Sequence, residues 1–285
     1  MKKSYLKYFI ALFLFGSNGI VASLIALSSY EIVLLRTMIG SALLIAIFFI
    51  TGGKLTFHKK GAQFFYLTVS GIAMGTSWMF LYEAYQQIGV SISSLLYYCG
   101  PVIVMVLSPI LFKEKLTCVK IIGFSAVLCG IFLVNGASLG GRGSSLGFVC
   151  GLMSAVMYAF MVIFNKKAHD ITGLENAMLQ LVISFLTVAV FVGCKQGYVL
   201  SIPHGSILPM IFLGLVNTGI GCYFYFSSIG ALPVQTVAIC GYLEPLSAVV
   251  FSLVLLHEAM TPSQIIGAVL ILGGAIFGEL HKKTT

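Results

Sequence analysis

Apolar runs of roughly 18–25 residues, the length a helix needs to cross a bilayer, follow one another along the whole of this 285-residue chain. They fall near 7–27, 31–51, 63–86, 90–112, 117–135, 145–165, 173–194, 207–229, 234–256 and 261–280. The connections between them are short, as between neighbouring antiparallel helices. Only 8% of the residues are charged, against 59% hydrophobic. A soluble domain carries about 25% charged residues on its surface, so lipid is the solvent that suits this composition. The chain is expected to be an all-α integral membrane protein of ten transmembrane helices. The net charge of +8 forms no long basic run with interleaved aromatics, which argues against a nucleic-acid partner. The seven cysteines include no CxxC pair and read as small buried side chains, not as a metal site or disulfide framework.

Lysine and arginine set the orientation. With the N-terminus inside, Lys2, Lys3, Lys7, Lys54, Lys59, Lys60, Lys113, Lys115, Lys120, Lys166, Lys167, Lys282 and Lys283 all fall on the cytoplasmic side. Arg142 and Lys195 fall outside, and Arg36 lies within a span. The bias obeys the positive-inside rule and supports the span count, because a missed helix would scramble it. Thr117 and Thr261 read as helix N-caps, the latter followed by Pro262 at the first helical position. The glycine pairs Gly71/Gly75, Gly147/Gly151 and Gly274/Gly278 have the spacing that lets helices approach closely. Lys2 and Lys3 before an apolar run also fit a signal peptide. An internal repeat argues for keeping that run as the first span.

Sliding the sequence by 144 positions reveals the repeat. Tyr98 meets Tyr242, Pro101 meets Pro245, and Glu114 meets Glu258. Ile121-Ile122-Gly123 meets Ile265-Ile266-Gly267, and Gly130 meets Gly274. The chain divides into 1–140 and 141–285, with five spans each. Because five is odd, the second half enters the membrane from the opposite side. Inverted repeats underlie alternating access in many transporters.

The segments YYCGPVIVMVLSPILFKEKLT and GYLEPLSAVVFSLVLLHEAMT, within this five-plus-five arrangement, resemble the EamA family of the drug/metabolite transporter superfamily. The resemblance implies a ten-helix bundle with both termini cytoplasmic. A central cavity would be lined by helices 1, 3, 4, 6, 8 and 9, with helices 5 and 10 at the periphery. It also implies transport, often export, of amino acids or other small metabolites.

The candidate transport residues follow from helix chemistry. Proline has no N–H, so Pro101 and Pro245 free the carbonyls of Tyr97 and Gly241 near mid-membrane. Matched interruptions in two repeats point to a transporter's binding site or hinge, here Pro101, Gly241 and Pro245. Glu244 lies at the same depth and should face a cavity, where it would bind a cationic group or a coupling proton. Its counterpart is Gly100, so the fold's symmetry does not require the charge. Glu83, near the outer end of its span, is a second proton or cation candidate and a possible outer ion-pair partner of Arg36. The alternative is that both snorkel to the interface. Helical spacing adds Asn18, Trp78, Tyr82, Tyr97, Tyr98, Tyr158, Asn217, Tyr225 and Tyr242 as substrate-cavity residues. Their aromatic faces suit apolar or cationic ligands.

The reading is a secondary transporter, expected in the plasma membrane, of a small polar or amphipathic metabolite. Its partners are that substrate and the bilayer, with monomer and homodimer both open. It is not expected to be an enzyme or to hold a cofactor or metal, and it has no P-loop for direct ATP coupling. Two other classes remain: a non-transporting membrane scaffold or receptor, and an intramembrane enzyme.

Overall fold

A helix in hydrocarbon satisfies its own backbone, so a chain of membrane-length apolar runs folds as rods. The computed structural model describes residues 2–59, 61–88, 90–135, 144–195, 197–198, 202–255 and 262–280, and all regular structure among them is helical. The helical segments group as α1 (Lys2–Gly16 and Asn18–Ser23), α2 (Ser29–Ile50), α3 (Gly61–Ile88), α4 (Val90–Tyr97 and Cys99–Phe112) and α5 (Cys118–Asn135). The second half follows as α6 (Ser145–Lys167), α7 (Gly173–Lys195), α8 (His204–Phe212, Leu213–Ile220 and Gly221–Ile229), α9 (Val234–Gly241 and Leu243–Leu255) and α10 (Pro262–Leu280). These ten rods match the apolar runs of the sequence. Six of them, α1, α2, α3, α6, α7 and α8, are each long and apolar enough to cross a membrane. The breaks in α4 and α9 divide those spans into shorter pieces. Lys60, Arg142, Glu258, Thr261, Lys282 and Lys283 lie outside the described residues.

The bundle is apolar outside, and within its largely apolar core polar side chains link the helices. Ile110 and Leu208 are 76% and 77% exposed. Inside, Asn165 donates to Asn176 (2.9 Å), Gln180 donates to Ser70 (2.9 Å), and Ser70 donates to the Met161 carbonyl (2.7 Å). Such bonds let polar side chains join helices where no water is available. Thr117 caps α5 by accepting from the Lys120 amide at 3.3 Å. At α2, Ser28 and Glu31 form a reciprocal capping box. Three of the cysteines depart from the sequence reading, since Cys118, Cys129 and Cys194 are exposed on the bundle's surface. Lipid accepts the small apolar thiol as readily as a protein core does.

Glycine fixes how the two halves meet. A Cβ on Gly123 would stand 2.6 Å from the Gly274 carbonyl, and one on Gly130 would stand 2.6 Å from the Gly267 carbonyl. Gly123 and Gly267 are counterparts in the repeat, as are Gly130 and Gly274. Each glycine of α5 therefore meets the counterpart of the other, the self-complementary pattern of a two-fold contact. The remaining glycine pairs act similarly. Gly71 and Gly75 of α3 admit Ile183 and Ser184 of α7, while Gly147 and Gly151 of α6 admit Ile88 and Leu96.

Two irregularities were not visible in the apolar pattern. α1 breaks at Ser17, and α8 widens into a π-helical stretch over Leu213–Ile220. They are coupled. Asn217, fully buried in the wide turn, donates to the Leu14 carbonyl (3.1 Å), Ser17 Oγ (2.8 Å) and Asn18 Oδ1 (3.0 Å). Thr218 donates to the carbonyl of Leu213, five residues back, at 2.8 Å.

Gly123→Ala is expected to lower the thermal midpoint in detergent by the equivalent of about 1–3 kcal/mol, because the new methyl meets rigid backbone. Gly273→Ala, where a Cβ meets nothing within 4 Å, should leave it unchanged. Asn217→Ala should cost about 1–3 kcal/mol in the same measurement, by leaving the break in α1 without its donor.

Candidate functional site

The functional site starts at the prolines. α4 and α9 break at Tyr98 and Tyr242, counterparts in the repeat, each three residues before its proline. The breaks face one another. Tyr242 donates its hydroxyl to the Tyr98 carbonyl at 2.7 Å, and the two rings lie 6.3 Å apart. Gly241, Pro101 and Pro245 are buried around this contact. The structure also accounts for the unequal counterparts Gly100 and Glu244. A Cβ on Gly100 would stand 2.6 Å from the Tyr158 ring and 3.0 Å from the Ala155 carbonyl. Position 100 is thus filled by α6, whereas Glu244 borders open space.

That space is a cavity of about 700 Å³ beside the breaks. Its mouth is lined by Ser23, Ile25 and Leu27 at the turn between α1 and α2. Deeper, its wall includes Asn18, Arg36, Trp78, Tyr82, Tyr85, Tyr97, Tyr98 and Glu244. A narrow inner extension shares Phe15, Asn18, Trp78, Tyr97 and Glu244 and ends among Met74, Ser77, Tyr158, Met161, Cys222 and Tyr225. The floor is aromatic. Tyr158 and Tyr225 hydroxyls meet at 3.4 Å, and Tyr8 packs its ring 5.5 Å from Tyr225.

Most of the residues singled out in the sequence converge here, with three corrections. Asn217 is committed to the break in α1 and does not line the cavity. Tyr242 is fully buried between Tyr98 and Phe124, so it supports the wall from behind. The Arg36–Glu83 pair does not form. Glu83 accepts from the Tyr30 hydroxyl and from Gln87 (3.2 Å), and it faces Lys195 at 3.9 Å. A helix turns about 100° per residue, so Tyr82 points at Arg36 while its neighbour Glu83 points towards α7. Arg36 instead is 2% exposed, with its guanidinium 4.5 Å from the Trp78 ring and its Nη1 donating to the Tyr82 hydroxyl at 3.0 Å. Through Arg36 and Ile32, α2 joins the cavity wall. Its share was missed because one charge in a span reads equally well as snorkelling. The four-residue spacing of Ile32 and Arg36 was the available signal.

The opposite end of the bundle is sealed. Tyr8 donates to the Val237 carbonyl at 2.7 Å. Glu114, at the end of α4, accepts from the amides of Val234 (2.7 Å) and Gln235 (3.1 Å) and so caps α9 from a neighbouring helix. Lys166 donates to the carbonyls of Ile229 (2.9 Å), Gly230 (3.0 Å) and Leu232. A charged group on backbone partners makes a stronger bond than a neutral one. Among the described residues, no cluster of histidine, cysteine and carboxylates could hold a metal ion.

Relatives match along this architecture. The chain is 23% identical over 282 residues to the uncharacterized transporter YxxF of Bacillus subtilis (strain 168), covering 98% of this chain and 90% of that protein. It is 27% identical over 195 residues to a probable amino-acid metabolite efflux pump of Salmonella typhimurium, covering 63% of this chain and 65% of the pump. A solved crystal structure superposes with a TM-score of 0.83 at 19% identity, over 97% of this chain and 98% of that one. That likeness is one of fold. The EamA-like transporter family matches twice, over residues 2–136 and 145–278. Two matches cover both halves of the bundle, and the family is one of transporters, not of enzymes. This multi-pass membrane protein belongs to the EamA-like transporter family.

Proposed function

We propose that the protein is a secondary transporter that moves a small polar or amphipathic metabolite, such as an amino acid, across the plasma membrane by alternating access. The observation that carries this reading is the cavity, open at one end, sealed at the other and bordered by Tyr98 and Glu244 at the paired breaks. A site at matched helix interruptions can face either side when the halves exchange conformations. The two repeats, 1–140 and 141–285, are inverted relative to one another.

Charge supports the orientation. Lys7, Lys166 and Lys120 sit at the sealed end, while Lys195 sits beside Glu83 and Tyr30 at the open end. The positive-inside rule makes the sealed end, and both termini, cytoplasmic. This conformation then faces outward. Export is the direction supported by the resemblance to an efflux pump. Glu244, bordering the cavity at mid-span, takes a cationic group of the substrate or a coupling proton. Glu83 acts at the outer rim, bridging α2, α3 and α7.

Counterflow in proteoliposomes, after a screen for solutes that stabilise the purified protein, tests the reading. A stabilising solute that exchanges across the membrane supports it, and binding without exchange would make the protein a receptor. Pro245→Ala, which restores a backbone donor at the break, is expected to slow exchange several-fold with little loss of thermal stability. If Glu244 carries the proton, Glu244→Gln will abolish the response of flux to an imposed proton gradient. A response that persists assigns the proton elsewhere. For orientation, in a protein whose exposed cysteines Cys118, Cys129 and Cys194 are replaced by serine, Ser94→Cys should react with a membrane-impermeant maleimide from outside intact cells, and Lys115→Cys should not.

A further inference from the structure

Arg36 is a buried cation with neutral partners. Its Nε donates to Thr218 Oγ1 at 3.0 Å and its Nη1 to the Tyr82 hydroxyl at 3.0 Å. Its Nη2 is buried with no hydrogen-bond partner among the described residues. A charge taken out of water is costly unless a counter-charge meets it, and among the described residues no carboxylate forms an ion pair with it. Glu31 is occupied in the capping box of α2, and Glu83 by Tyr30, Gln87 and Lys195. Glu244 borders the same cavity, yet no ion pair joins it to Arg36 among the described residues.

The neighbours of Arg36 hold it in one orientation. Thr218 uses its own proton on the Leu213 carbonyl, which leaves its oxygen to accept from Nε. The wide turn of α8 makes that geometry possible. Trp78 lies against the guanidinium face. With Nε and Nη1 fixed and the flat face covered, the direction left for a further partner is that of Nη2. A guanidinium N–H makes a strong charge-assisted bond to a carboxylate or phosphate oxygen, and of the two the carboxylate is the smaller.

The cavity wall therefore carries one guanidinium and one carboxylate that are not joined as an ion pair. A simple organic anion would satisfy Arg36 and leave Glu244 without a partner. A simple cation would do the reverse. The complement of such a wall is a molecule that carries both charges at separate positions, with an apolar part to set against Phe15, Trp78 and Tyr97. The volume of about 700 Å³ is within the range of small-molecule sites, roughly 300–1,000 Å³.

We propose that Arg36 is the carboxylate anchor of this cavity and that the transported compound is a zwitterion, held with its carboxylate at Arg36 and its ammonium group towards Glu244. The assignment rests on the reading of the cavity as a transport site and sharpens it from small metabolites to doubly charged, net-neutral ones. Arg36 thereby determines specificity, and Thr218 and Tyr82 position it.

The test uses the standard L-amino acids as probes. Each one that stabilises the protein is compared with its amide, which lacks the carboxylate, and with its deamino acid, which lacks the ammonium group. Binding and counterflow are measured on the full-length protein. In the wild type, the amide and the deamino acid should each bind about 10- to 100-fold more weakly than the zwitterion. Arg36→Gln should remove the difference between acid and amide while keeping the preference for an ammonium group. Arg36→Lys, which keeps the charge without the guanidinium that Thr218 and Tyr82 orient, serves if Arg36→Gln does not fold. It should weaken the acid and leave the amide unchanged. A merely structural arginine would weaken all three compounds alike. Equal binding of acid and amide by the wild type, or an acid preference that survives Arg36→Gln, overturns the anchor while leaving transport intact. If none of the three compound types binds, the zwitterion assignment falls and transport of another solute stands. If they bind and none is exchanged across the membrane, the transport reading falls.

Discussion

A backbone carbonyl inside a membrane must find a donor, and two prolines in this protein deny two carbonyls their helical donors. Much of the interior arrangement answers that constraint. The helices break at Tyr98 and Tyr242, the breaks are brought face to face, and the Tyr242 hydroxyl serves the Tyr98 carbonyl, the neighbour of the one that Pro101 frees. Hydrocarbon could not tolerate these interruptions, but a cavity between helices can. The polar space beside them is thus partly a consequence of the fold's own defects.

The repeat gives both halves the same defect and only one half the charge. At position 100 the side of α4 is pressed against Tyr158 and has room for hydrogen alone. At position 244 the equivalent side of α9 faces the cavity. The asymmetry is steric in origin. Once α6 closes over one break, a side chain can be accommodated only at the other. The α5–α10 seam keeps the symmetry that the cavity has lost, since Gly123, Gly130, Gly267 and Gly274 pair as counterparts.

Elements whose signal is local were legible in the sequence. Span positions, the paired breaks and the convergence of Asn18, Trp78, Tyr97, Tyr158, Tyr225 and Glu244 on one cavity follow from hydropathy, proline chemistry and helical spacing. Features that depend on which face meets which helix were not. Asn217 and Tyr242 are polar residues at mid-depth, and nothing in their spacing separates lining a cavity from bracing its wall. Arg36 and Glu83 lie at similar depth, but the rotation of one residue along α3 sends Tyr82 and Glu83 to different neighbours. The π-helical turn leaves no periodic trace, because it is built by Asn217 and Thr218 reaching to α1 and to Leu213.

The sealed end is fastened in an unusual currency. Glu114 holds amides, Lys166 holds carbonyls, and Tyr8 holds a carbonyl. On the α8–α9 side, all of these partners are main-chain atoms, which nearly every residue type supplies. These bonds therefore read sequence on one face only, while Ser227 and Gln235 add side-chain partners beside them. Substitutions at Ile229, Gly230 or Leu232 leave the carbonyl acceptors in place, and at Val234 only proline would delete the amide donor. Gln235 is the exception, because its buried side chain donates to Ser108 and accepts from Lys120. Such a closure can persist through change at Gly230, an exposed residue of the turn that it grips.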